Sequence, residues 1–413
     1  MTIPQPNNHI TRAITIRQHL KRLQDLVSAD EAGDLQAHKE LLKSIRGLQL
    51  AVETPFETLF RLNFQSLQNI AIRIATEKCW LHVIAAAKGR AIKATDVAQQ
   101  TGTNALITAR LLRLLAATGL CEEVGIQTYA ANHRTDFYSQ PGTVAGVKFQ
   151  HDITFPMLIK SQGGQLSEYM RSHDLQLTAK DSNTKTLFQF TYNKENLFDL
   201  VETIPERKRL FDEYMSWRDR GQQCGWFEIY PAKEWLPKTK CQHDQAFVVD
   251  IGGGKGEVLA RFRDSYPDHP GRLILQDLSS TFQHLDQPPD GIELMEHDFF
   301  APQPVQGACI YLLSRVLHDW SDSNCEKILS NIVLAMDPDN STLLIVDRVL
   351  KDQGVDLGEA SFDILMWMNY SAMERSTQQW QNLLGRVGLQ LVRVWRSSGA
   401  SECALEVKVL RAN

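Results

Sequence analysis

The chain's seven cysteines include no C-x-x-C pair, and their odd number leaves no complete disulfide pairing. Neither a disulfide framework nor a thiolate zinc site is indicated, and the cysteines read as reduced thiols. No stretch approaches the ~20 apolar residues of a membrane span, and the first thirty residues lack a continuous apolar core of secretory length. A cytoplasmic protein without a membrane partner is therefore expected. There is no basic excess: 44 Lys and Arg face 49 Asp and Glu, a net charge of −5, which argues against a nucleic-acid partner. H-E-x-x-H, G-x-S-x-G and clustered His or Cys at ligand spacing are also missing, so metal-assisted and serine-nucleophile hydrolysis have no support and no metal is expected. Internal repeats and low-complexity tracts are absent. What is present is 43% hydrophobic and 23% charged residues, the balance of a folded globular protein. Its 413 residues suffice for roughly two to three domains.

From Thr11 to about Ala51 apolar residues recur at helical spacing, interrupted by a polar turn near Gly33, which predicts two surface helices. The next segment, FETLFRLNFQSLQNIAIRIATEKCWLHVIAAA, is apolar around its whole circumference. It should be buried between two subunits or in an intrachain core. KATDVAQQTGTNALITARLLRLLAATGLCEEVGIQTYAAN then reads as a short helix, a turn at Gly102, a longer helix over about 104–117, a stop at Gly119 and a hairpin turning near Gly125. This winged-helix pattern raises DNA binding, since such modules lay their second helix in the major groove. That helix, however, carries only Arg110 and Arg113 amid Leu, Ile and Ala, too few cations to neutralise phosphates. Packing or dimerisation is the better reading.

Residues 150–240 read as mostly helical and rich in aromatics, among them Phe198, Phe211, Tyr214, Trp226 and Phe227. Most should be core, and a subset suits a pocket for a flat organic molecule. After Lys240 short apolar runs alternate with helical stretches: AFVVDI, RLILQD, IELMEH, GACIYLL and TLLIVD. That alternation predicts an α/β fold with a parallel sheet. QLVRVW and CALEVKVL are separated only by a short polar linker containing SSGASE, so the last two strands should form an antiparallel hairpin.

The strongest local signal is VVDIGGGKGEVL, where a buried strand enters a Gly-rich turn and then a helix. Glycine lets the backbone approach a ligand, and the helix start offers unpaired N–H groups. Gly252, Gly254 and Gly256 are spaced G-x-G-x-G and Lys255 precedes Gly256, which fits neither a dinucleotide fingerprint nor a P-loop. Asp277 ends the next strand, where an open α/β sheet binds a ribose diol. Asp298 ends the third, suited to accept from an exocyclic amine, with Phe299 placed to lie against a purine. The ordered series points to a nucleoside ligand. His318 follows the fourth strand in LLSRVLHDWSD and is a candidate general base. Ser321 and Asp322 are suited to begin the following helix, and Ser376 with Gln379 to form a capping box. Asp347 and Glu374 are the available acids.

Together VVDIGGGKG, ILQDL, HDFF, SRVLHDW and MERSTQQW resemble the S-adenosylmethionine (SAM) dependent O-methyltransferases of the plant caffeate type and their fungal natural-product relatives. The resemblance spans nearly the whole chain. It implies a Rossmann-like class I methyltransferase domain, a mostly parallel seven-stranded sheet with an antiparallel last hairpin, and an all-helical, winged-helix-like N-terminal domain. Residues 1–155 would dimerise and residues 156–413 would bind SAM, with 156–240 covering the acceptor. The implied cofactor residues are Asp250, Gly252, Gly254, Asp277, Leu278, Asp298, Phe299, Ser314 and Arg315. His318 is the implied base, flanked by Asp347 and Glu374. His151, Trp367, Met368 and Asp319 are the candidates for the acceptor pocket. The implied reaction methylates a phenol or enol of a small aromatic or polyketide-type compound in a homodimer. Two features depart from the family pattern. Ser314 stands where relatives often carry Lys or Arg, the basic residue here being Arg315, and Asp347 stands where the plant pattern has Glu. Some fungal proteins of this kind bind SAM yet catalyse dehydration or pericyclic cyclisation, which is the alternative activity. A catalytically silent dimer partner is the third reading.

Overall fold

The computed structural model describes residues 8–154, 168, 169, 171, 187–194, 197–220, 224–236, 244–283, 285, 287, 289–370, 372–397 and 402–410. The rest of the expected acceptor-covering segment 156–240, and residues 398–401 of the last hairpin's linker, lie outside them. The chain divides into two compact units, Met1–Val144 and Ala145–Asn413.

In the first unit, helices Asn8–Glu31 and Leu35–Val52 pack against each other. They are joined at Gly33, whose φ of +84° suits glycine. Asp34 caps the second helix by accepting from Gln36 N and Ala37 N. Helix Pro55–Glu77 opens with a capping box between Thr54 and Glu57. Its Ala71 and Ala75 are buried, whereas Phe56 and Phe60 are 72% and 56% exposed and Leu59 and Leu62 are exposed beside them. The circumferential apolarity is thus only partly used inside this chain. Helices Ala94–Thr101 and Ala105–Ala117 follow, separated by left-handed Gly102 and by Asn104, which caps the second helix. Strands β1 (Ile92–Lys93), β2 (Glu122–Gly125) and β3 (Thr128–Ala130) form an antiparallel sheet ordered β1-β3-β2.

The second unit is built on seven strands: β4 (Ala246–Ile251), β5 (Arg272–Asp277), β6 (Glu293–Glu296), β7 (Ile310–Ser314), β8 (Thr342–Asp347), β11 (Leu389–Arg396) and β12 (Cys403–Val409). Their order is β11-β12-β8-β7-β4-β5-β6; β4 to β8 are parallel, and β12 runs antiparallel to β8 and β11. The two short strands β9 (Val349–Leu350) and β10 (Arg375–Ser376), not anticipated from the sequence, pair in parallel.

Helices cover both faces of the sheet, which explains why β4 and β8 are nearly continuous apolar runs, with the acids Asp250 and Asp347 only at their carboxyl ends. One face packs Val249, Ile251 and Leu343 against Ile328, Leu329, Trp380 and Leu383. The other packs Phe247, Val248 and Leu275 against Leu259, Phe262, Trp226 and Phe227. Strand order reverses at β4, between β5 and β7, so a crevice opens beyond the carboxyl ends of these strands, the expected ligand position in an open α/β sheet. Asp250, Asp277, Ser314 and Asp347 all stand at this edge. No described helix is long and apolar enough to cross a membrane.

Candidate active site

A cavity of about 560 Å3 occupies this crevice. Its floor is the turn after β4, where Gly252 and Gly254 adopt φ of +69° and +61°. A Cβ on Gly252 would meet Val316 and Phe299, and one on Gly253 would lie 2.5 Å from a Leu275 methyl and 2.6 Å from the Asp250 carboxyl carbon. One on Gly254 would meet nothing within 4 Å, because it would project into open space. Side chains are thus excluded for two reasons, close packing beneath the turn and backbone conformation above it.

Asp277 ends β5 on the cavity wall. Its Oδ2 accepts from Gly254 N at 2.8 Å, and its Oδ1 accepts from Leu278 N at 2.7 Å and Thr281 Oγ1 at 2.8 Å. Burial pushes its pKa above the usual value, and these donors counter the shift. A carboxylate offers about four lone-pair sites, so one remains for a ligand hydroxyl. Asp298 accepts from Phe300 N at 2.9 Å and lines the cavity with Phe299. Phe299 and Phe300 meet Trp320 edge-on, and Trp320 stacks on Phe198 at 5.9 Å, giving the cavity an aromatic side. Asp250, Leu278, Ser314 and Arg315 are also in the lining. Arg315 holds a left-handed φ of +56° while its N–H bonds Val346 O at 2.8 Å, a strained conformation of the kind found at functional sites.

His318 sits on the 3-10 turn Leu317–Asp319 after β7 and is 5% exposed. Its Nδ1 is 2.9 Å from Glu374 Oε1 and 3.7 Å from Asp347 Oδ1, and its Nε2 is 3.6 Å from Asp319 Oδ1. Three chain segments, after β7, at the end of β8 and just before β10, therefore deliver one imidazole and three acids to one point. Burial alone would depress the His318 pKa, but Asp319, Asp347 and Glu374 outweigh it and raise the value to about 9. Asp347 is wholly buried, its oxygens accept no hydrogen bond among the described residues, and burial with the neighbouring acids raises it to about 7. Burial also raises Asp319. Phe362 stacks beside the imidazole at 6.1 Å, and the Arg348 guanidinium lies 4.2 Å from the Phe362 ring centre.

Helix Leu357–Tyr370 presents Leu365, Met366, Asn369 and Tyr370 to the cavity. At 3.6 residues per turn those four share one face. Trp367 and Met368 instead pack with Phe188 and Leu197. His151 lies in the π-helical turn Gln150–Thr154, and its neighbours Phe149 and Gln150, rather than His151, line the cavity. Asp319 is in the lining. Sequence reading did not single out Asn369, Tyr370, Arg218 or Lys208, which also line it. Asn369 is 2% exposed, and its Oδ1 has no hydrogen-bond partner among the described residues; no motif marks it. The Ser376–Gln379 capping box is present. Ser321, by contrast, makes no cap bond and shares its hydroxyl with Ser323, while Asp322 is engaged by two arginines.

An O-methyltransferase domain model matches residues 176–390, more than half of the chain. This chain belongs to the O-methyltransferase family. It is a SAM-dependent methyltransferase with the class I fold. O-methyltransferase lepI of Aspergillus flavus is 30% identical over 89% of this chain and 92% of its own length. Demethylsterigmatocystin 6-O-methyltransferase of Aspergillus parasiticus is 30% identical over 86% of this chain and 89% of its own. The solved structure of LepI complexed with SAM has a TM-score of 0.84 and 29% identity, covering 97% of this chain and 100% of that one. A structure described as a pericyclic reaction enzyme aligns equally well, at TM-score 0.84 and 29% identity over 97% of this chain and 100% of that one.

The family's cofactor fits the residues present. Open space above Gly254 takes a chain lying against backbone, Asp277 keeps an acceptor site for a ribose hydroxyl, and the Phe299 side of the cavity suits a purine. The acids at the strand ends suit a cationic sulfonium.

Proposed function

We propose that this methyltransferase acts on a phenolic or enolic hydroxyl of a small aromatic or polyketide-type natural product, with His318 as general base. The observation that carries the reading is the 2.9 Å contact between His318 Nδ1 and Glu374 Oε1. As a carboxylate Glu374 only accepts, so Nδ1 carries the hydrogen and the lone pair of the neutral ring lies on Nε2. Nε2 takes the acceptor's proton, and Glu374, Asp347 and Asp319 stabilise the imidazolium that results. SAM, when bound, supplies a methyl group already activated on a sulfonium. Removing one proton and holding the acceptor oxygen in line therefore supply most of the acceleration. Asp250, Gly252, Gly254, Asp277, Leu278, Asp298, Phe299, Ser314 and Arg315 would hold the cofactor. Asn369, Tyr370, Phe362 and Asp319 face the acceptor in this reading, ahead of His151, Trp367 and Met368. His318→Ala is expected to abolish incorporation of tritium from methyl-labelled SAM while calorimetric SAM affinity changes by less than about twofold. Retained turnover removes the base.

A second activity is favoured by the likeness to LepI and the pericyclic reaction enzyme, together with the high proton affinity of His318. A protonated His318 polarises a carbonyl in a dehydration or cyclisation without methyl transfer. A product isomeric with its precursor (cyclisation) or lighter by one water (dehydration), formed with SAM unconsumed, identifies that chemistry.

Residues 1–155 serve dimerisation and residues 156–413 catalysis in the same proposal, with 156–240 covering the acceptor. The exposed Phe56, Leu59, Phe60 and Leu62 support a homodimer, since a contiguous apolar face of this kind marks an interaction surface. Light scattering at twice the monomer mass, reduced by Phe56→Ser with Phe60→Ser, is the expected result. Cytoplasmic residence is proposed alongside and is tested by fractionation.

A further inference from the structure

Arg375 follows Glu374 directly in sequence and is 1% exposed, among the largest fully buried side chains. Its Nη1 donates to Leu317 O at 3.0 Å and its Nη2 to Trp320 O at 2.9 Å. These two carbonyls bracket His318 and Asp319. Nε and Nη2 both donate to Asp322 Oδ1, at 3.1 and 2.9 Å, Nη2 also reaches Cys325 Sγ at 3.5 Å, and the guanidinium lies 5.2 Å from the Trp380 ring centre. On its backbone side Arg375 pairs with Val349 in the short β9–β10 ladder, two residues beyond Asp347. One residue thus joins the three segments that carry His318, Asp347 and Glu374: its side chain holds the His318 turn, its backbone pairs with the strand after Asp347, and it follows Glu374 directly.

Burying a guanidinium is costly unless its donors are met, and a planar fork reaches two carbonyls and a carboxylate at once where an ammonium does not. We propose that Arg375 is a positioning residue: its fork fixes the Leu317–Trp320 turn against the strand that follows Glu374, and so sets the distance and angle between His318 and its acids. The inference rests on the reading of His318 as the base. It acts on a crowded set of charges. Asp319, Asp347 and Glu374 face the imidazole, Arg218 acts on Asp319 and Arg375 on Asp347, and the buried Tyr370 hydroxyl is in turn influenced by Asp319 and Arg218.

Arg375→Lys keeps the charge and removes the fork. The test is the protonation of His318 in 15N-histidine-labelled full-length protein, its resonance assigned with His318→Gln, so that no acceptor is needed. In the unsubstituted protein the ring is expected to titrate near 9. In folded Arg375→Lys, with SAM affinity unchanged within about twofold, its proton affinity should fall at least tenfold, because Glu374 and Asp319 are no longer held on the ring. An unmoved midpoint in folded Arg375→Lys overturns the proposal. If that variant does not fold, Asp322→Asn, which loosens the fork from its carboxylate side, is expected to give a smaller shift in the same direction; an unmoved midpoint there is equally decisive against it. Methyl transfer that survives His318→Ala would remove the base reading while leaving the titration result intact, so the two failures are distinguishable.

Discussion

Substituting Glu374 by Gln tests the electrostatics on which proton removal depends. The His318 pKa of about 9 lies above its ordinary 6.5 by an interval worth about 3 kcal/mol at 1.36 kcal/mol per unit. Three acids share that stabilisation and also overcome burial. Glu374 supplies both the 2.9 Å hydrogen bond and a charge. Glutamine keeps an acceptor oxygen and loses the charge, so the His318 midpoint should drop by about one to two units. The loss of a charge-assisted bond worth about 1.5–3 kcal/mol should lower the alkaline plateau about 10- to 100-fold. The assay is the pH profile of kcat/KM for methyl transfer, run with methyl-labelled SAM and an acceptor drawn from a panel of phenols and enols. The base must be neutral before it accepts, so the unsubstituted enzyme should gain activity with rising pH toward about 9, and Glu374→Gln should reach a lower plateau at a lower pH. Identical midpoints in the two proteins would refute the reasoning.

Asp277→Asn removes the charge that binds Gly254 N, Leu278 N and Thr281 Oγ1; SAM affinity measured by calorimetry should fall about 10- to 100-fold, the worth of a charged hydrogen bond. Because burial raises the Asp277 pKa, SAM affinity should also decline on acidification sooner than an ordinary carboxylate would allow. Stability of the ligand-free protein carries a second pH signature. The folded His318 pKa of about 9 exceeds the unfolded 6.5, so its contribution is fully present below 6.5 and is lost as pH rises through 9. The melting temperature should fall over that window, and His318→Gln should flatten the decline.

The central strands were legible because they are buried on both faces and are therefore written as apolar runs, with an acid at or next to the carboxyl end, as in AFVVDI and TLLIVD, whereas β6 and β11 are only partly buried. The Gly-rich turn was legible because positive φ requires glycine at 252 and 254. Gly253 was not marked, since its constraint is the packing of Leu275 and Asp250 beneath it, a contact between strands. His318 was found by its place after β7, yet its meeting with Asp347 and Glu374 depends on three segments separated by up to 56 residues, which no local spacing reveals. Trp367 and Met368 lie on a helix that lines the cavity, but which face of that helix turns to it depends on packing against Phe188 and Leu197. Arg375 falls within the MERSTQQW motif but its role, like that of Asn369, was not legible there because it lies in burial, and polar residues read as surface until the structure encloses them.

The most direct test of the central claim is a metabolite comparison between the producing organism and a deletion of this gene, with methyl-labelled methionine supplied. Methyl transfer predicts that the deletion accumulates a compound one methylene lighter than the product and lacking the label, and that purified protein with SAM restores both. Accumulation of an isomer or hydrated precursor with unchanged methyl content would contradict it and identify cyclisation or dehydration as the reaction.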